Sequence, residues 1–200
     1  FQLPGNVKLE MVKLPAGDFK RGNGLKEIFP EQAKVLTCEK VAKMLGVTDV
    51  ITHMGFIPEN PNDVEFIPFC NAVRRVAVHL KNNGQNLLFE TGQETPVAML
   101  RCMEEVGTDN LGVNLDTANL IMYGKANPVD SLDVFGNKIM NIHAKDGLYP
   151  TDGKSLGREV PIGEGKVDFV ALFKGLKEIG YDGYVTIERE IKGEKQKNFS

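Results

Sequence analysis

Two hundred residues, 42% hydrophobic and 26% charged, are enough to bury the core of a single domain spanning 1–200. A net charge of -3 supplies no broad basic face, so a nucleic-acid backbone is not the expected partner and a small polar molecule fits better. No apolar stretch reaches the roughly 18 residues of a membrane span and no signal-peptide pattern opens the chain, so no membrane partner is expected and cytoplasm is the default location.

Val7 to Val12 is a candidate first strand. Ala33, Leu36, Thr37, Val41, Met44 and Leu45 then make an amphipathic stripe that stops at Gly46. Val50-Ile51-Thr52 reads as a strand leading to His53. The next helix fills about residues 63–83, capped by Asn62 or Asp63, with Ile67, Cys70, Val73, Ala77 and Leu80 as its inner stripe and Gly84 beyond its end. Leu87 to Glu90 follows as a strand. Thr95-Pro96 is a cap with proline at the first helical position, and that helix runs to Val106 before Gly107. Leu111 to Asp116 is a strand, Asn127-Pro128 starts a shorter helix, and Ile139 to His143 is a strand again. Phe169, Leu172, Phe173, Leu176 and Ile179 recur at helical spacing behind Asp168, Gly180 stops that helix, and Gly183 to Glu188 is the last strand. Cys38, Cys70 and Cys102 form no CxxC pair and read as free thiols packed in helices.

This alternation predicts an α/β fold of the (β/α)8 TIM-barrel type. A closed barrel needs eight strands and usually about 250 residues. Five strands are clear here, so the expectation is an incomplete barrel whose N-terminal βα units are missing. An open doubly wound sheet is the alternative. It is weakened because Gly163-Glu164-Gly165, the nearest thing to a dinucleotide loop, lies late and has no matching acidic residue after it.

Four of the apolar runs end on a residue that can bind metal: Glu90, Asp116, His143 and Glu188. Each alone reads as a cap, loop anchor or ion-pair member. Parallel strands that close into a barrel bring their carboxyl ends to one mouth, and there the four form a divalent-metal site suited to Mn, Mg, Co or Zn. The first two intervals are one βα unit long. The third adds a long loop, Asp146 to Val167, of a length common in functional lids. His53 ends an earlier strand at the same mouth and reads as a donor behind the ligands or a substrate contact, ahead of a ligand for another metal. Lys145 and Asp146 either touch substrate or pair with each other. Arg158 and the Gly163-Glu164-Gly165 turn are a weak phosphate-binding signal, and His79 reads as a surface or packing residue.

At Glu90-Thr91-Gly92-Gln93-Glu94, Asn114-Leu115-Asp116-Thr117-Ala118-Asn119-Leu120, His143-Ala144-Lys145-Asp146 and Thr186-Ile187-Glu188-Arg189-Glu190, the chain resembles the sugar phosphate isomerase/epimerase family, which are xylose-isomerase-like barrels. The resemblance runs from Thr52-His53-Met54-Gly55-Phe56 to Glu190. It implies a divalent metal, commonly Mn or Mg, on residues matching Glu90, Asp116, His143 and Glu188, with the two Glu as acid and base. Several epimerases and the related endonuclease IV enzymes carry His three residues after the Asp. Asn119 stands there in this chain, which argues against phosphodiester cleavage and leaves the substrate contact at that position altered.

The reaction expected is epimerisation or isomerisation of a sugar or sugar phosphate by proton abstraction through an enediolate. Glu90 and Glu188 would exchange the proton on opposite sides of the substrate. A dehydratase on the same site is the alternative, with Lys145, His53 or Glu94 as acid for the departing hydroxyl. An endonuclease and a non-catalytic sugar-binding domain rank below both. Barrels of this family often pair, so a homo-oligomer is compatible with the reading.

Overall fold

The computed structural model describes Lys43 and residues 46–190. These belong to the unit Cys38–Ser200, and the unit Phe1–Thr37 lies outside the described residues. So do the predicted strand at Val7 to Val12, Cys38 and most of the predicted helix before Gly46.

Five strands form one parallel sheet: β1 (Asp49–Thr52), β2 (Asn86–Glu90), β3 (Leu111–Asp116), β4 (Ile139–Ala144) and β7 (Val185–Ile187). They lie in chain order, each hydrogen-bonded to the next. A doubly wound sheet reverses its strand order at a switch point, and this sheet has none among the described residues. The apolar composition of β2 and β3 follows from burial on both faces, since helices cover one face and the other looks into the barrel. β1 and β7 are the edges of the described sheet and are only partly covered.

Two long helices, α1 (Phe66–Asn82) and α2 (Pro96–Val106), pack on the outer face. α2 starts as its sequence demands: Thr95 Oγ1 accepts from Ala98 N at 3.3 Å, Pro96 follows, and Gly107 closes the helix at φ 65°. The start of α1 differs from expectation. Glu65 is its N-cap without a side-chain bond, while Asp63 Oδ1 accepts from Glu65 N just upstream. Its buried stripe begins at Phe66, and Ile67 faces solvent. Asn127-Pro128 starts a turn, and only the short α4 (Leu132–Phe135) follows, after the equally short α3 (Asn119–Met122). α5 (Phe169–Glu178) is capped by Asp168 Oδ1, which accepts from Ala171 N at 2.9 Å.

The core lies between the sheet's outer face and these helices. Leu87, Phe89, Val113, Leu115 and Ile142 meet Cys70, Ala77, Met99, Cys102 and Leu172 there. Cys70 Sγ and Cys102 Sγ are 3.7 Å apart, both fully buried as free thiols. Burial raises the pKa of both, which suits packing rather than nucleophilic chemistry.

The segment Asp146 to Val167, expected as a loop, holds an antiparallel hairpin of β5 (Asp146–Leu148) and β6 (Arg158–Val160). Its strands are too short and polar to show in a hydrophobic pattern. No helix among the described residues is long and apolar enough to cross a membrane.

Candidate metal centre

Side chains alternate across a strand, so residues two apart share a face. On β3, Asn114 and Asp116 point into the barrel while Val113 and Leu115 join the core. The β3 and β4 registers shift between Val113 and Asn114, and beyond that bulge Asn114 lies opposite Asn141 and Asp116 opposite His143. Glu90 ends β2 opposite Asn114, and Glu188 follows β7 with its N–H donating to Ala144 O at 3.2 Å. The strand ends thereby bring Glu90, Asp116, His143 and Glu188 together, with one ligand-type atom of each lying within 4.8 Å of all the others.

His143 Nδ1 is the hub of this group. It lies 3.1 Å from Glu90 Oε1, 3.5 Å from Glu188 Oε2 and 3.2 Å from Asn114 Nδ2. Burial pulls the imidazole pKa down, but the bonds to Glu188 and Glu90 outweigh it and raise the value to about 10. The bond from His143, reinforced by Lys145, holds Glu188 well below the usual carboxylate range despite burial.

Asp116 is fully buried, and its two oxygens are treated unequally. Oδ1 accepts from Ala118 N at 2.9 Å and Asn119 N at 2.8 Å. Among the described residues Oδ2 accepts no hydrogen bond. Its facing cation, Lys145 Nζ, is 3.6 Å away and shared with Glu188 Oε2 at 3.1 Å and Glu190 Oε2 at 2.8 Å. Burial pushes the Asp116 carboxyl up to about 7 against the pull of Lys145. Three carboxylates, one of them with a bare buried oxygen, and one imidazole make a donor set that fits a divalent cation.

The other expected site residues divide. His53 joins the group, its Nε2 3.6 Å from Glu90 Oε2. Lys145 joins it too, but as partner of three carboxylates rather than of Asp146. Asp146 is used inside the chain: Oδ1 accepts from Gly147 N and Val167 N, and Oδ2 from Gly163 N and Gly165 N, at 2.8 to 3.1 Å. Those glycine amides were the phosphate-binding candidates, and they already hold this carboxylate. A Cβ at Gly165 would overlap it. Asn119 is buried and holds Asp116 through its backbone. Arg158 stands exposed on β6, in register with Leu148. Asn114 and Glu190 were missed, although each lies two residues from a ligand-type side chain on the same strand or its extension.

A family model described as xylose isomerase-like TIM barrel matches residues 32–199. The chain belongs to that family. A solved structure, the xylose isomerase domain protein from Planctomyces limnophilus, superposes with a TM-score of 0.71 at 37% identity, over 76% of this chain and 55% of that one. A putative L-ribulose-5-phosphate 3-epimerase of Escherichia coli is 43% identical over 75 residues, which is 36% of this chain and 26% of that protein. An inosose dehydratase of Lacticaseibacillus casei is 24% identical over 144 residues, 64% of this chain and 48% of that enzyme. The chain thus spans half or less of the length of these curated relatives.

Proposed function

We propose that this family member is a divalent-metal-dependent enzyme that epimerises or isomerises a sugar or sugar phosphate by moving a proton at a carbon beside a carbonyl. The bare, fully buried Oδ2 of Asp116, in reach of three further ligand-type atoms, carries the reading. Glu90, Asp116, His143 and Glu188 would hold the ion. When bound, such an ion would polarise the substrate carbonyl and make the adjacent C–H more acidic.

The chain's own residues then divide the work. Glu90 has one oxygen at His143 and the other toward His53, whose side chain is 47% exposed, so Glu90 can face ligand cluster and substrate at once. Its open-side oxygen is the group we assign to take the proton. Glu188, fixed by Lys145, stands on another strand and returns it from the opposite side. Lys145 keeps Glu188 in place and offsets the carboxylate charge. The relative named as a putative L-ribulose-5-phosphate 3-epimerase supports this class of substrate.

A dehydratase on the same residues is the second reading, favoured by the inosose dehydratase match. Among its three candidate acids, Lys145 is engaged by carboxylates and Glu94 is buried near Lys125 and Glu59. His53 is therefore the acid that this reading uses.

The test is deuterium exchange in D2O, with ketoses, their phosphates and cyclic polyol ketones offered to the metal-loaded full chain. Metal-dependent exchange at the carbon beside the carbonyl, lost in Asp116→Ala, is the expected result. A new ultraviolet-absorbing conjugated product would select dehydration instead. No bound metal after equilibration with excess Mn would sink both.

A further inference from the structure

We propose that Glu59 is a positioning residue, pinning the loop after β1 across the two neighbouring loops and so holding His53 against Glu90. Its carboxylate accepts from Thr95 Oγ1 at 2.7 Å and from Thr95 N at 3.3 Å. Lys125 Nζ, beyond α3, is 3.7 Å from the same carboxylate. The Glu59 carbonyl accepts from Arg101 of α2 at 2.8 Å. Thr95 meanwhile caps α2 through its own Oγ1, so the contact sits on a fixed point of the scaffold.

A single exposed ion pair would count for little. Here one residue joins the segments that follow β1, β2 and β3, through side chain and backbone together. Two residues earlier, Ile57 is buried in the core at 3% exposure. The stretch His53-Met54-Gly55-Phe56 is therefore tied at the strand end on one side and at Ile57 and Glu59 on the other. Gly55 lies between them with φ 80°, a backbone conformation that favours glycine. With both ends fixed, the His53 ring lies beside Gly92, where a Cβ would come within 3.6 Å of it, and reaches Glu90. Removing the Glu59 carboxylate takes away the side-chain half of the outer tie while the Arg101 bond and buried Ile57 remain, and the loosening falls on His53 more than on the metal ligands, because those sit on or directly after the strands.

The catalytic consequence rests on the proposed metal-dependent reaction, but the clamp itself does not, and the experiment separates them. Wild type, Glu59→Ala and Glu59→Gln are compared as the Mg-loaded full chain. Amide exchange over residues 53–65 should accelerate in Glu59→Ala. The imidazole resonance of His53 should move while that of His143 stays; with three histidines in the chain the assignment is short. Mg affinity should hold within about twofold, and turnover should fall on the order of tenfold, mainly in kcat, with Glu59→Gln recovering most of it because its amide oxygen still accepts from Thr95. Unchanged exchange and an unmoved His53 resonance overturn the clamp, whatever the activity. If wild type shows no metal-dependent turnover, the proposed reaction fails, and the two spectroscopic readouts still decide the clamp.

Discussion

Asp116 and Asp146 are both buried aspartates at the carboxyl side of the sheet, and they are used in opposite ways. A buried carboxylate is costly unless its lone pairs find donors. Asp146 finds four backbone N–H groups and closes the hairpin loop on itself, with nothing left to offer a ligand. Asp116 spends one oxygen on the turn that follows β3 and keeps the other bare beside three ligand-type side chains. The difference between anchor and ligand lies in this accounting, because residue type and burial are the same for both, although Asp116 ends β3 and Asp146 opens β5.

The largest effect that could break this contrast is on metal binding. Asp116→Ala should weaken Mn or Mg affinity more than about a hundredfold, measured by calorimetry, since a ligand matters at least as much as the groups behind it. The metal-free variant should lose less stability than Asp146→Ala does, because it strands two backbone donors rather than four and its other oxygen has no hydrogen bond among the described residues. Asp146→Ala should behave the other way round. It strands four backbone donors, so unfolding should become easier by about 3 kcal/mol in a denaturant titration, with metal affinity changed only a few-fold. Should Asp146→Ala lose the metal while Asp116→Ala keeps it, the roles assigned here are reversed.

A smaller test concerns the cation between the two regions. Lys145→Met leaves Asp116, Glu188 and Glu190 without their shared ammonium, so the metal-free protein should melt lower. Added Mn should then raise the melting temperature by more than it does in wild type, because the ion takes over charge that Lys145 balanced. An equal increment in both proteins would mean that Lys145 does not share the ligands' charge.

The parallel strands were legible in the sequence because each is a short apolar run, most fully in β2 and β3 where both faces are buried, and four of the ligand-type residues stood at or just beyond their ends. The contrast between Asp116 and Asp146 was not legible. It depends on which amides a folded loop turns inward, and Gly163, Gly165 and Val167 are too far along the chain for pattern to reveal it. The hairpin of β5 and β6 was hidden for a related reason: its backbone pairing, not its side chains, defines it. Lys145 was recognised as a site residue, but its partner Glu190 was not, although period-two spacing from Glu188 marks it. Ile67 misled because Phe66, one position earlier, continues the buried stripe of α1 equally well.

Glu94 offers the subtlest way to sharpen the comparison, as a third buried carboxylate with one bare oxygen. It is 2% exposed and Oε1 has no hydrogen-bond partner among the described residues. Burial pushes its pKa up to about 7 from 4.5, against the backbone N–H groups of Glu94 and Gly92 and the charge of Lys125. Unlike Asp116, it is not one of the four residues that converge. A bare oxygen without such neighbours should be a burden on folding rather than a ligand. As pH rises from 4.5 toward 7, the unfolded chain releases this proton before the folded one does, so ionisation favours unfolding and the lost stability stays lost above 7. Glu94→Gln should therefore melt close to wild type near pH 4.5 and a few degrees above it at pH 8, with metal affinity unchanged. A difference in melting temperature that stays constant across that range would show that Glu94 titrates alike in the folded and unfolded chain, so that its burial does not bear on stability through pH. Weakened metal binding would show instead that the centre extends beyond the four side chains at the strand ends.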